Sequence, residues 1–205
     1  MEDDRAIKVI LVGESGVGKT NLIRVTIGEK FEINPASTIS SSYCQSQITV
    51  GKKNYLYYLW DTAGQEKYRS LNQLFIKDAK IILIIFEINK KSTFEQVNFW
   101  NDYSKEVLGK DGYIMALIGN KSDLYEEDDV VSEKEIEAKA KELGMKYKVT
   151  SARTDSQGFK AFLNGLLEEY INKYHPEEYG EQNSFQIKKR KKNKNNNDND
   201  KKKCC

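Results

Sequence analysis

The chain has 205 residues, room for one buried core and an appendage. Its longest apolar run, residues 81–86, is far short of the ~20 residues that cross a bilayer, and the acidic opening at residues 1–5 lacks the parts of a secretion signal, so synthesis and folding in the cytosol are expected. A net charge of +2 hides an asymmetry: from Gln186 onward stand nine Lys/Arg and two Asp, so that stretch carries +7 and residues 1–185 carry −5, and the globular part has no basic bias that would suggest nucleic acid.

Strand-length apolar runs alternate with segments of helical period. Residues 6–12 read as a strand, followed by a glycine-rich loop and a helix over 19–27. Strands over 44–50 and 55–60 flank Gly51-Lys52-Lys53-Asn54, which reads as a hairpin turn. Cys44 on the first of them reads as a small packed hydrophobe, since the three cysteines include no CxxC pair. A strand over 81–88 leads to a helix over 93–107, and a strand over 113–119 to a helix over 133–143. Ser92-x-x-Glu95 and Ser132-x-x-Glu135 resemble capping boxes opening those two helices. The last strand, 146–150, precedes a helix over 158–174 whose Phe159, Phe162, Leu163, Leu166, Leu167, Tyr170, Ile171 and Tyr174 fall on one face. The alternation predicts an α/β fold: a mostly parallel six-stranded sheet with one antiparallel edge strand and helices on both faces. Residues 176–205 are Lys, Asn and Asp with almost nothing apolar, so they are expected to be a disordered tail beyond a domain at 1–175.

Gly13-Glu14-Ser15-Gly16-Val17-Gly18-Lys19-Thr20 fits GxxxxGK[ST], after a strand and opening a helix. Such glycines let the backbone wrap a phosphate chain, and the helix N-terminus adds N–H groups for the anion. Lys19 is expected at the β- and γ-phosphates and the Thr20 hydroxyl on Mg²⁺. The motif alone does not separate a GTPase from an ATPase or a nucleotide kinase. Asn120-Lys121-Ser122-Asp123, after the strand at 113–119, narrows the choice. A carboxylate there can accept two hydrogen bonds from guanine, a donor pair that adenine lacks. Asp61-Thr62-Ala63-Gly64-Gln65-Glu66 follows another strand and can offer Asp61 to Mg²⁺ through water, Gly64 as a hinge near the γ-phosphate, and Gln65 to orient an attacking water.

Together with Ser151-Ala152-Arg153, these motifs resemble, in order and spacing, the signature of Ras-superfamily small GTPases over about residues 6–175. The resemblance implies the P-loop GTPase fold, GTP or GDP and Mg²⁺ as ligands, and hydrolysis by positioning and electrostatics rather than a covalent intermediate. By position it implies that Ser15, Gly16, Val17, Gly18, Lys19, Thr20 and Asn21 surround the phosphates. Phe31 would pack edge-on to guanine, Asn120 and Lys121 would brace and cover the base, Asp123 would read it, and Ser151, Ala152 and Arg153 would form the loop beside it. Thr20, Thr38 and Asp61 are the implied metal ligands, Gly64 contacts the γ-phosphate, and Gln65, Lys19 and Thr38 are the implied catalytic residues. No cis arginine finger stands out, so hydrolysis is expected to be slow and raised by a partner's arginine. Residues 31–43 and 61–77 are expected to be ordered by the γ-phosphate and released after hydrolysis. A nucleotide kinase would need a second substrate site and a lid; a non-hydrolysing GTP-binding scaffold stays open at this level.

Within the superfamily, residues 59–70 (LWDTAGQEKYRS) and 85–89 with Ser92-Thr93-Phe94 and Trp100 are similar to the Rab branch. Tyr43, Trp60 and Phe75 match the aromatic triad that Rab effectors touch, although core packing would serve them equally. Ser40-Ser41-Ser42, Leu74-Phe75-Ile76-Lys77-Asp78 and Arg153 depart from the usual Rab pattern. The final Cys204 and Cys205 resemble the double-cysteine ending that carries two geranylgeranyl groups, and no CaaX box is present. The neighbouring Lys188-Lys189-Arg190-Lys191-Lys192 suits a nuclear signal or, beside lipid, an anionic membrane. The implied partners are an exchange factor, a GTPase-activating protein, a GDP-dissociation inhibitor or escort protein, and effectors. The implied place is the cytoplasmic face of intracellular membranes with a cytosolic pool, the protein acting as a monomer in vesicle trafficking.

Overall fold

The computed structural model describes residues 6–33, 35, 38, 42–62, 69–124 and 130–174, with residues 69–72 as backbone only. The chain divides into two units, residues 1–168 and 169–205. The first contains strands β1 (Ile7–Val12), β2 (Ser42–Val50), β3 (Lys53–Asp61), β4 (Ile81–Glu87), β5 (Ile114–Asn120) and β6 (Lys146–Val149). Between them lie helices α1 (Lys19–Thr26), α2 (Arg69–Ile76), α3 (Lys91–Glu95), α4 (Val97–Leu108) and α5 (Glu133–Leu143), and α6 (Ser156–Tyr174) follows. Of the second unit, the end of α6 from Glu169 to Tyr174 is described, where the Tyr170 and Tyr174 rings meet at 4.9 Å.

The sheet runs β2-β3-β1-β4-β5-β6, parallel throughout except for β2, which pairs antiparallel with β3 at the edge. The expected fold class is therefore the one observed. Central strands of such a sheet are buried on both faces, and β1 and β4 are nearly continuous Ile, Leu and Val for that reason. Ile10, Val12, Ile82, Ile84, Phe86, Met115 and Leu117 pack with Ile76 of α2, Val97 and Trp100 of α4, and Ile136 and Ala140 of α5. Alternation sends Val9, Leu11, Leu83, Ile85, Ala116 and Ile118 to the opposite face, and these too are buried. There α1 packs against β3 and buries Leu22 and Ile23, while α6 buries Phe159, Leu163 and Leu166. Each such aliphatic or aromatic side chain contributes about 1.5–3 kcal/mol, comparable with the ~1–2 kcal/mol lost in fixing each residue's backbone.

Four details differ from the sequence-based expectations. The hairpin turn is shorter than Gly51–Asn54: Val50 pairs with Lys53 and Thr49 with Asn54, leaving Gly51-Lys52 as the loop. Gly51 takes φ 64°, as the primed turns that match strand twist require. The helix expected over 93–107 is two helices meeting at Gln96, whose ψ of −6° interrupts the helical path. Ser92 caps nothing, because α3 begins one residue earlier with Lys90 at its N-cap. Thr93 ties this region to β4 instead: its hydroxyl donates to Lys90 O at 2.8 Å and accepts from Glu87 N–H at 3.0 Å. Finally, α2 was not expected, although Leu71, Leu74 and Phe75 have helical spacing; it is short, and what holds it is packing on the α4 side of the core.

Ser132 does form the expected capping box, its hydroxyl accepting from Glu135 N–H at 3.3 Å while Glu135 Oε2 accepts from Ser132 N–H at 3.0 Å. Ser132→Ala should therefore cost about 1 kcal/mol of stability, whereas Ser92→Ala, at an exposed non-capping position, should stay within about 0.5 kcal/mol. Urea unfolding of the two variants checks both values.

Candidate functional site

Every loop that carries a motif leaves the carboxyl end of a strand: 13–18 after β1, 62 after β3, 121–124 after β5 and 150–155 after β6. Open α/β sheets bind their ligands at that edge. The chain exits β1 through Gly13, where φ is 143° and a Cβ would stand 2.1 Å from Ile85 O. Only glycine lets the loop pass so close to β4. Gly18 is held equally tightly, with φ 94° and Asn120 Nδ2 at 2.4 Å from the place of a Cβ. Gly18 also forms the N-cap of α1 and offers no side chain to the first turn, so the helix presents uncapped N–H groups toward the loop.

Lys19 begins α1 and folds back under the loop. Its Nζ donates to Gly13 O at 2.9 Å and Glu14 O at 2.8 Å. It is 5% exposed, and burial lowers its pKa to about 8, against the attraction of Asp61 and then Glu14. Two of the ammonium's three N–H groups thus fix the loop, and an anion lying in it would take the third. Ser15 and Gly16 form the exposed tip of the loop, and Val17 is buried beneath it.

Beside the lysine, three oxygen-bearing side chains from three parts of the chain converge. Thr20 Oγ1 donates to Asp61 Oδ2 at 2.7 Å, Thr38 Oγ1 donates to the same oxygen at 3.2 Å, and the two hydroxyls lie 3.0 Å apart. The other carboxylate oxygen, Asp61 Oδ1, is buried without a hydrogen-bond partner. Burial raises the Asp61 pKa, opposed chiefly by the hydrogen bond from Thr20. A buried, incompletely satisfied carboxylate with two hydroxyls beside it is a hard-oxygen set of the kind that suits Mg²⁺.

The other end of the site is a cleft of about 350 Å³ whose walls include Phe31, Asn120, Lys121, Asp123, Ser151, Ala152 and Arg153, with Gly16, Gly18 and Asn21 also lining it. Asn120 joins its two sides: Nδ2 donates to Val17 O at 2.8 Å, and Oδ1 accepts from Ala152 N–H at 3.1 Å. Asp123 is braced by Ser151, whose hydroxyl donates to Oδ1 at 2.6 Å, and Arg153 Nη1 lies 3.8 Å from Oδ2. Asn21 holds the segment carrying Phe31, donating to Glu32 O at 2.8 Å and accepting from Glu32 N–H at 3.0 Å. A carboxylate at the end of an apolar-edged slot, with a phosphate loop at the other end, is complementary to a guanine nucleotide.

Comparison with known proteins agrees. The Ras family model matches residues 8–172. The chain is 36% identical over 167 residues to the GTP-binding protein ypt3 of Schizosaccharomyces pombe, covering 82% of this chain and 77% of that one. It is 32% identical over 157 residues to the Ras-related protein Rab-21 of Geodia cydonium, covering 77% and 68%. The Ypt/Rab-type GTPase YPT7 of Saccharomyces cerevisiae is 34% identical over 142 residues, covering 67% and 68%. The chain belongs to the Ras family, in its Rab/Ypt branch. It is a GTP hydrolase that binds GTP and GDP with Mg²⁺ and serves vesicle trafficking. Members of the family work with regulators and effectors.

Within this Rab/Ypt GTPase, the described residues among those expected at the phosphates, the metal and the base lie in neighbouring loops, linked by Asn120 and by Lys19. Gly64 and Gln65 lie outside the described residues, as do Cys204 and Cys205. Tyr43, Trp60 and Phe75 form a ladder along the sheet edge, with ring centroids 4.9 and 5.8 Å apart, Tyr43 exposed and the other two packed on the core. Tyr58 joins it edge-on to Tyr43 at 5.2 Å. Sequence reasoning missed Asp155, which ties the Ser151 loop together: its Oδ2 accepts from Thr150 Oγ1 at 3.0 Å and its Oδ1 from Gly158 N–H at 3.1 Å. The signal was an Asp three residues before a glycine at a helix start, legible only as a cap.

If Asp123 reads the base, Asp123→Asn should move preference from guanine to xanthine nucleotides, because an amide donates where the carboxylate accepted. Competition of GDP and XDP for the purified variant checks this, with a preference change of about five- to 150-fold expected for one bidentate pair, about 1–3 kcal/mol.

Proposed function

We propose that this GTPase is a membrane-attached switch in which residues 1–175 hold the nucleotide and the basic 176–205 stretch delivers it to a membrane. The observation that carries the reading is the meeting of Thr20, Thr38 and Asp61 around one half-satisfied carboxylate, next to the buried Lys19. Thr38 comes from the loop before β2 and Asp61 from the end of β3, so both loops are tied to the phosphate end of the site. Mg²⁺, held when bound by the Thr20 and Thr38 hydroxyls and through water by Asp61, would supply positive charge beside the phosphates. Lys19 would stabilise the negative charge that grows on the transferring phosphoryl oxygens, at a site where its ammonium already stands fixed. Gln65 would orient the attacking water. Loss of the γ-phosphate would free Thr38 and Gly64, and with them the two loops that partners read.

The exchange factor, the activating protein, the GDP-dissociation inhibitor or escort protein and the effectors would all meet this face. Tyr43 and its aromatic neighbours offer effectors a surface there. Gln65→Leu should keep GTP binding and slow hydrolysis by about 10²–10³-fold in the partner-stimulated reaction, the usual scale for losing one positioned polar group. Single-turnover hydrolysis of preloaded GTP is the measurement; an unchanged rate would mean that another group places the water.

Among the described residues no helix is long and apolar enough to cross a bilayer. Attachment to intracellular membranes would come from geranylgeranyl groups on Cys204 and Cys205. One acyl chain holds a protein only marginally, whereas two hold it stably. Each Lys or Arg near an anionic leaflet adds about 1 kcal/mol, so the lipids would dominate and the charges would tune membrane choice. Cys204→Ser/Cys205→Ser should retain nucleotide binding and shift the protein to the cytosolic fraction, while neutralising residues 188–192 should move less of it. Fractionation together with intact mass of the C-terminal peptide tests this; a double-serine variant that still pellets with membranes would overturn it.

A further inference from the structure

Lys121 occupies an unusual position in the base loop. Its backbone lies in the left-handed region at φ 66°, uncommon for a residue with a side chain, and its carbonyl accepts from Asn89 Nδ2 at 3.3 Å. The side chain runs back across the phosphate loop, placing Cε 3.9 Å from the point where a Cβ on Gly18 would stand. Its Nζ ends 2.8 Å from Glu87 Oε2, and the two side chains are 28% and 19% exposed. Glu87 is itself well anchored. It closes β4, sits in register with Asn120, and has its N–H bonded to the Thr93 hydroxyl, while Ile88 N–H bonds to Asn120 O at 3.0 Å.

We propose that Glu87 is a positioning residue for nucleotide retention. By fixing the ammonium of Lys121, it holds the lysine stem as a strap across the phosphate loop and as a wall of the base cleft. A lysine gives up much rotamer freedom when its stem is pinned. The carboxylate fixes that stem before a nucleotide arrives, so binding does not have to order it. The ion pair spans two strand ends and is largely shielded from water, a setting in which it is screened less than at an open surface. The inference rests on reading the cleft as the guanine-nucleotide site.

The test is the release of a fluorescent GDP analogue from the full-length, Mg²⁺-loaded protein into excess GDP, for wild type, Glu87→Gln, Lys121→Met and the double variant. Lys121→Met keeps an apolar stem and removes the ammonium. Glu87→Gln should speed release by about two- to 150-fold, the span of coupling between contacting polar groups, and should add nothing in the Lys121→Met background. Glu87→Asp, which keeps the charge on a shorter arm, should fall between wild type and Glu87→Gln, and serves where Glu87→Gln folds poorly. A role in fold stability alone would accelerate release equally in both backgrounds, and that result would overturn the proposal. So would unchanged release from Glu87→Gln when Lys121→Met releases faster. Unchanged release from Lys121→Met would overturn the proposal while leaving the cleft as the nucleotide site, whereas failure of the wild-type protein to bind the GDP analogue would overturn the reading of the cleft itself.

Discussion

At the carboxyl end of β5, the buried side-chain amide of Asn120 bonds to Val17 O, 103 residues earlier, and to Ala152 N–H, 32 residues later. Both amide groups are thereby used, and Val17 and Ala152 are themselves buried. Leaving a buried donor or acceptor unsatisfied costs about 1–3 kcal/mol per group. The phosphate loop, the base loop and the loop after β6 are therefore mutually fixed by one side chain. Gly18 is part of the same constraint, because its missing Cβ is the space that the Asn120 amide occupies.

Around that pin the site is built in layers that trade burial against charge. Lys19 and Asp61 are each 5% exposed, and burial pushes the lysine's pKa down and the aspartate's up. Each is the other's partial remedy. The lysine is further compensated by two loop carbonyls, and the aspartate by two threonine hydroxyls, one of which comes from the loop before β2. A carboxylate so placed couples the geometry of distant loops to whatever charge occupies the site, which is the physical basis of a switch. The other end of the site is braced by side chains. Ser151 holds Asp123, Asp155 holds the Ser151 loop, and Glu87 holds Lys121, so the residues proposed to read the base are each held by another group of the protein.

Sequence alone determined most of this protein. The phosphate loop, the base-reading run and the ends of the six strands are local patterns: glycine at fixed offsets, a carboxylate after an apolar strand, apolar period two against period 3.6. Each arises from residues a few positions apart, so it could be read without knowing the fold. The Ser132 capping box is of the same kind. Tertiary structure decided the rest. Whether Ser92 or Thr93 ties down α3 depended on the place of Glu87 at the end of β4, and the short α2 needed the packing of Ile76 and Phe75 against the core to exist as a helix. The meeting of Thr20, Thr38 and Asp61, and the span from Lys121 across Gly18 to Glu87, join residues 18 to 103 positions apart. No window of sequence contains such contacts, because only the parallel sheet, by gathering its strands' carboxyl ends along one edge, brings those side chains within hydrogen-bonding distance.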